Sequence, residues 1–474
     1  MTMIAALLLG AAGQAAAPCD PRQFGAVGDG KTLATASIQR AIDACASRGG
    51  GVVLLAGGTF LSGTLVLKDN VTLRIAPGAT LLASSRIEDF TPYPAEDVPK
   101  IAIDGSTQNK GNGPYHLIHA DNARAIAIDG GGTIRGNGYG YWDADPDKVY
   151  VSRRPRPSPL IEFVASRDIR IENITIRDAP GWTIHPLDSE DIVIRRVGIF
   201  NDGHGPNTDA IDVDSSRNVI VADSQIEAGD DCVVLKTTGR RGAPVGPTEN
   251  VVVTGIRCSS DDQGIKIGTE SLGDFRNIRV TDSLIYHAPS IYRSPTAAVS
   301  MSMVDGATFE NVVVSNIVIR DAATPLFLRL GNRGRGQASP TPGTLRNVVF
   351  SNIVATGGSL ASSITGLPGH PIRSVTLRNI DIAMKGGGEA TAIRVPEAER
   401  DYPHAPMFGP LPAHSLYIRH VAGLTLRNVR LRTERPDGRP AIILDDVSGL
   451  DADRASARSL PKDQQGKPRD PSRP

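Results

Sequence analysis

One pattern of apolar and polar positions recurs along this chain: two alternating β-branched residues, a polar pair that often contains Asn, then a second apolar pair. A clear copy runs Asp168-Ile-Arg-Ile-Glu-Asn-Ile-Thr-Ile176, and others begin at Ile192, Val219, Val251, Ile278, Val312, Val348, Val375 and Leu424. Within each copy the apolar side chains fall at period two, which predicts a strand with one buried face. Most copies start 23 to 36 residues after the last, too far apart for two-residue hairpins, and turn formers fill the intervals. Successive strands should therefore run parallel, without the crossover helices of a doubly wound sheet. A right-handed parallel β-helix meets these conditions, each coil adding a strand about 4.8 Å from its neighbour around a thin column of Val, Ile and Leu. Leucine-rich and propeller repeats are the alternatives, but neither the Leu/Asn spacing of the first nor the Trp-Asp blades of the second is present.

The ends of such a solenoid need covers. Thr35 to Ala46 places Ile38, Ala41, Ile42 and Cys45 at helical spacing, which predicts a capping helix, ended by Gly49 to Gly51 before a strand from Val52 to Leu55. The Pro-rich stretch Pro396 to His414 reads as a long loop over the coils. Residues 455–474 are polar and aperiodic and read as a disordered tail. The organisation is thus a leader at 1–17, one all-β domain at 18–454 and the tail.

Composition agrees. In 474 residues there are 50 Gly and 34 Pro but only 4% aromatic residues, as many turns and a slender core require. Lys+Arg and Asp+Glu are 51 each, so no global field favours nucleic acid or an anionic membrane. The apolar run Ile4 to Ala12 is too short to span a bilayer and, with the small residues Ala15 to Ala17 after it, reads as a signal peptide. That places the protein outside the cell or in the periplasm. Four cysteines fit an oxidising compartment. Three connectivities are open to them, besides four free thiols. Cys19 with Cys45 and Cys232 with Cys258 is the expected one, because the 26 residues between the second pair match one coil. A monomer without a membrane span is expected.

Carboxylates gather in one stretch: Asn207-Thr208-Asp209, Asp212 and Asp214, then Gly229-Asp230-Asp231-Cys232 and Lys236. Asp209 and Asp230 are 21 residues apart, so they can stand on adjacent rungs with Asp231 beside them. A bend at Gly229 would let Asp230 and Asp231 serve one site. Mutual repulsion and burial should keep one acid protonated while another activates water, the division of labour that glycosidic hydrolysis needs. A calcium site or a solvated turn is the blander reading, and the one-coil offset counts against it.

These residues resemble family 28 glycoside hydrolases, whose type activity is polygalacturonase. The resemblance rests on Asn207-Thr208-Asp209 with Gly229-Asp230-Asp231-Cys232. Phe24-Gly-Ala-Val-Gly-Asp-Gly30, Ile38 to Asp43 and Gly49 to Val53 add an entry segment shared by the wider pectinase-like superfamily. It implies a right-handed β-helix acting by inversion, with Asp230 as general acid and Asp209 and Asp231 holding the water. Two parts of the family pattern are missing. Asp262-Gln263-Gly264 stands where a Gly-His-Gly is expected, and the Arg-Ile-Lys one coil on is absent, with Tyr292-Arg293-Ser294 the nearest material. A variant pectic bond, rhamnogalacturonan-type or at a chain end, is therefore expected rather than plain polygalacturonate. Candidate substrate-binding residues are His185, Lys236, Gln263, Lys266, Arg293 and Arg329, with Trp182 flanking. No metal or organic cofactor is called for. A pectate-lyase-like eliminase and a non-catalytic glycan-binding β-helix are the competing functions.

Overall fold

The computed structural model describes residues 18–93, 113–146, 149–153, 155–240, 243–390 and 393–460. The leader at 1–17 and residues 461–474 of the tail lie outside these. The fold is a right-handed parallel β-helix. Its described strands pair in parallel, apart from an antiparallel hairpin of Trp142–Asp145 with Val149–Ser152.

The recurring apolar pattern is the stacking register. Ile169, Ile192, Val219, Val251, Ile278, Val312, Val348, Val375 and Leu424 are successive partners, each directly on the next. All are buried. Each such side chain contributes roughly 1.5–3 kcal/mol on burial, and a slip of one residue would turn the row to solvent, so the pattern fixes the register. The Asn immediately before five of the copies has its own task. Asn218, Asn250, Asn277, Asn311 and Asn347 all have φ between 56° and 60°, a left-handed bend that Asn tolerates better than other non-glycine residues. Their amides form a ladder, Nδ2 of each donating to Oδ1 of the one before at 3.1–3.3 Å.

A second wall carries the chemistry. It stacks the strands Ile118–Asp121, Ile161–Val164, Ile184–Leu187, Ile211–Asp214, Val233–Thr237, Gln263–Ser271, Ala297–Met303 and Thr324–Leu330. Its inward row is Ile118, Ile161, Ile184, Ile211, Val233, Ile265, Val299 and Leu326. The adjacent outward row reads His119, Glu162, His185, Asp212, Val234, Lys266, Ser300 and Phe327, one residue per rung.

Both disulfides pair as the spacing predicts, Cys19 with Cys45 and Cys232 with Cys258. The capping helix spans Thr35–Ser47 and buries Ile38, Ala41, Ile42 and Cys45. At Gly50, φ is 122° and an added Cβ would lie 2.4 Å from that of Asn70, so the turn out of the helix needs glycine. The far end departs from expectation. Arg454–Ala457 is a helix whose N-cap Asp453 accepts from the Ser456 amide, and Ser456 and Leu460 are buried. Residues 455–460, assigned to a disordered tail, instead close the last coil: Ser456 Oγ takes the Val429 amide at 3.0 Å.

Candidate active site

Asp209 lies in the turn before strand Ile211–Asp214, and Asp230 and Asp231 lie in the bend between strands Gln225–Ala228 and Val233–Thr237. Gly229 makes that bend possible, because a Cβ there would meet Asp202 O, Gly205 O and Thr208 Oγ1 at 2.5–2.7 Å. Freed from strand alternation, Asp230 and Asp231 point to the same place. One carboxylate oxygen from each of Asp209, Asp230 and Asp231 lies within 4.8 Å of the other two.

The three acids differ in their partners. Asp231 is buried and held toward its charged form: Oδ1 accepts the Gln263 amide at 3.0 Å and Oδ2 the Lys266 ammonium at 2.7 Å. Burial pushes its carboxyl up to about 6 against the pull of Lys266. Asp230 is raised well above the usual carboxylate range by burial and by the charges of Asp231 and Asp262, and it accepts a hydrogen bond from Asn207 Nδ2 at 3.2 Å. Asp209 is also raised well above that range, by burial and then by Asp230 and Asp212, and its Oδ1 is buried without a hydrogen-bond partner. Such a cluster sheds its protons in steps that belong to the group, and Asp231 is the member best placed to stay ionised.

The lysines predicted to bind substrate are occupied by these acids. Lys236 Nζ is 2.9 Å from Asp212 Oδ1 and 4.0 Å from Asp209 Oδ2, and sits 3.4 Å over the Trp182 ring. Trp182 is thus a buried floor under Lys236 rather than a stacking surface for sugar. Gln263, in the position of the missing histidine, donates from Nε2 to Asp262 at 3.3 Å and leaves Oε1 buried without a partner. Arg293 lies at the rim, its side chain 67% exposed and forked onto Asp261.

Two expectations fail on burial. His185 is wholly inaccessible, with Nδ1 3.0 Å from Glu162 and Nε2 3.5 Å from Asp214. Burial alone would lower its pKa, but these two acids raise it to about 9. It touches no open space for a sugar. Arg329 is 1% exposed and holds the Pro-rich loop: its guanidinium donates to the carbonyls of Gly366, Glu397 and Ala398 at 3.2, 2.5 and 3.2 Å. The pattern Leu326-Phe-Leu-Arg placed Arg329 on the right rung, but a strand position does not reveal what covers it.

The loop itself lies on this wall. Ala405, Phe408 and Leu411 pack on Phe327 and Tyr417 of the outward row. Tyr402 is the residue that sequence reasoning missed. Its ring lies near the Arg333 guanidinium, 5.9 Å away. Lys266 pulls the phenol down, while the surrounding protein and the charges of Glu270, Asp231 and Asp262 outweigh it, so its pKa rises although the residue is 46% exposed. Glu270, also missed, is held down at about 2 against burial by Lys236, Arg333 and Lys266. Its signal was hidden by a register shift: Leu235 pairs with Ile267 but Thr237 with Ser271, so alternation fails between them.

A family model for glycosyl hydrolases family 28 matches residues 72–400. The "Probable polygalacturonase" of Vitis vinifera is 28% identical over 370 residues, 76% of this chain and 73% of that one. Among solved structures, the exopolygalacturonase of Thermotoga maritima superposes with a TM-score of 0.60 at 23% identity, covering 77% of this chain and 86% of that one. The family 28 exopolygalacturonase of Yersinia enterocolitica gives 0.65 at 18% identity, covering 90% and 77%. The two structures share the fold.

Proposed function

The chain belongs to glycosyl hydrolase family 28, and from that premise we propose that it is an exported enzyme hydrolysing a uronate-containing pectic polysaccharide, with Asp230 as general acid and Asp231, beside Asp209, as the base that activates water. Membership makes it a glycosyl hydrolase and sets aside the lyase and the non-catalytic binder. The observation that carries the roles is the unequal partnering of three gathered acids: Asp231 has an ammonium at 2.7 Å and a backbone amide, while Asp230 has only the neutral Asn207 amide at 3.2 Å among the described residues. Asp230 therefore keeps a proton to give to the leaving oxygen. The bare Oδ1 of Asp209 and Oε1 of Gln263 are acceptors for the attacking water and a sugar hydroxyl.

Two features support a variant specificity. Lys236 and Lys266 each face a carboxylate, so the cations at the centre hold acids, and the rim Arg293 is the one of the proposed binding cations with an exposed side chain. A uronate is better met there than at the cleaved bond, which favours a backbone mixing uronate with neutral sugars over plain polygalacturonate. Along the wall, His119, Glu162 and His185 are buried on one side of the acids, and on the other Ala405, Phe408 and Leu411 of the Pro-rich loop pack on Phe327, which favours action at a chain end. The two disulfides suit export.

The nearest carboxylate oxygens of the acids stand within 4.8 Å of one another, short beside the roughly 6.5–9.5 Å between carboxyl groups associated with inversion, which raises, as a second reading, a double displacement through one aspartate. Product analysis on a panel of pectic polysaccharides decides among these. The proposal expects reducing ends that vanish in Asp230→Asn, monomer or dimer as first product, and an inverted anomer by proton NMR. A retained anomer selects the second reading, and activity surviving in Asp230→Asn removes the assigned acid.

A further inference from the structure

Away from the three acids, on the same wall, His116, His119 and Glu162 each bring a nitrogen or oxygen atom within 4.8 Å of the other two. All three side chains are buried, at 1%, 6% and 2% exposure. His119 and Glu162 are register partners on neighbouring strands. The rows place His185 beside Asp212, so the cluster begins two register steps from Asp212, about 10 Å at 4.8 Å per rung.

The hydrogen bonding around this cluster is what a cation would need. His116 Nδ1 is 2.8 Å from the carbonyl oxygen of Pro159. A carbonyl only accepts, so Nδ1 carries the proton and, in the neutral ring, Nε2 presents its lone pair. That Nε2 is 2.8 Å from Glu162 Oε2. A lone pair facing a carboxylate is repulsive unless a positive species sits between them. A second proton on His116 would relieve that contact alone. It would do nothing for His119, whose Nδ1 is more than nine-tenths buried with no hydrogen-bond partner, an arrangement that costs about 1–3 kcal/mol. A metal ion shared by the three residues, with Nδ1 as the His119 ligand, relieves both. The outer contacts are also of the kind metal ligands make: His116 is oriented by a backbone carbonyl, and Glu162 Oε1 is held by His185 Nδ1 at 3.0 Å.

We propose that His116, His119 and Glu162 bind one divalent transition-metal ion, with zinc the best match to two imidazoles and one carboxylate. Water would complete its coordination. Oxygen-seeking calcium and magnesium do not suit a nitrogen-rich set. The ion ties strand Ile118–Asp121 to strand Ile161–Val164 and fixes Glu162, which in turn holds His185 in the row that leads to Asp212. It is a structural ion beside the acids, and it does not rest on their proposed roles.

The test is metal content and cobalt(II) binding of the full chain, purified without a histidine tag and dialysed against chelator before reloading. The expected result is one equivalent of zinc or cobalt in the wild type and in Asp230→Asn, with the cobalt form showing the d–d absorption of a nitrogen-ligated site. Affinity should fall at least 100-fold in His119→Gln and in His116→Gln. A folded wild type that takes up no stoichiometric metal overturns the proposal, whatever the variants do. So does an equivalent that survives both histidine variants but disappears in Asp230→Asn, which would place the ion among the aspartates.

Discussion

Lys266→Met separates two roles that a lysine in this position could have. The side chain is almost fully buried, its Nζ 2.7 Å from Asp231 Oδ2, and methionine approximates its shape without the charge. At an effective dielectric of about 20, a charge pair at that separation interacts by about 6 kcal/mol, equivalent to roughly 4 pH units before solvent and neighbours readjust. Even a quarter of that moves Asp231 up by about one unit from its position near 6. The base works ionised, so the acid limb of kcat/KM should move to higher pH by at least about one unit. The same substitution strands a buried carboxylate, a loss of about 3–5 kcal/mol while it is charged. Because the folded state holds the proton of Asp231 more tightly than the unfolded chain does, the stability tied to that proton is present at low pH and lost as pH rises through the folded value. The variant should therefore lie close to wild type at pH 5 and well below it at pH 8 in calorimetry. A pH–rate profile that falls by one factor at every pH, with its acid limb unmoved, would refute this reasoning and return Lys266 to substrate binding.

Asp230→Asn should lower kcat by about 10²–10⁴-fold while raising the melting temperature above pH 6, because it removes a buried carboxyl that holds a proton in the folded chain and has lost it in the unfolded one; an activity loss accompanied by destabilisation would contradict the second half. Cys232→Ser opens a disulfide spanning 26 residues, worth about 3.5 kcal/mol by the chain-entropy relation, and because Cys232 follows Asp231 directly, activity should decline before global unfolding in a denaturant titration read by both probes. Arg329→Met leaves the carbonyls of Gly366, Glu397 and Ala398 without their donor, so protease cleavage within 393–414 should speed up and longer oligosaccharide products should appear, whereas an unchanged product profile would separate the loop from chain-end action.

The sequence made the coil legible because the fold repeats itself: one residue per rung, the same face each time, so that Ile192 predicts where Val219 and Val251 must be. The acids were legible for the same reason, since a 21-residue offset is one coil. What escaped was everything set by a segment crossing the coils. Arg329 and His185 occupy the rungs their spacing assigns, yet each is sealed in, Arg329 by a loop some 68 residues downstream in sequence and His185 between Glu162 and Asp214. Tyr402 had no pattern at all, because a Pro-rich loop has no period to read. Lys236 and Lys266 were found as residues, but their acid partners were not. Strand alternation gives direction but does not say that the nearest carboxylate is 2.9 or 2.7 Å away.

That pairing has a physical consequence for the site. In a parallel β-helix a residue on the outward row meets its neighbours at about 4.8 Å above and below, so a charge placed on one rung is answered on the next or it is not tolerated. Asp212 is answered by Lys236 and Asp231 by Lys266, while Glu270 is drawn down by both lysines and Arg333. Asp230 has no such answer. Burying a carboxylate without a cation forces it to keep its proton at pH values where its neighbours have lost theirs. The cations that answer Asp212, Asp231 and Glu270 thus leave Asp230 as an acid able to protonate a leaving group. A cation brought within reach of Asp230, as in Asn207→Lys, should therefore cost more turnover than it gains in stability. Calorimetry and kcat on the same preparation measure both quantities, and a variant that is stabilised with kcat intact would show that the missing partner of Asp230 is not what makes it the acid.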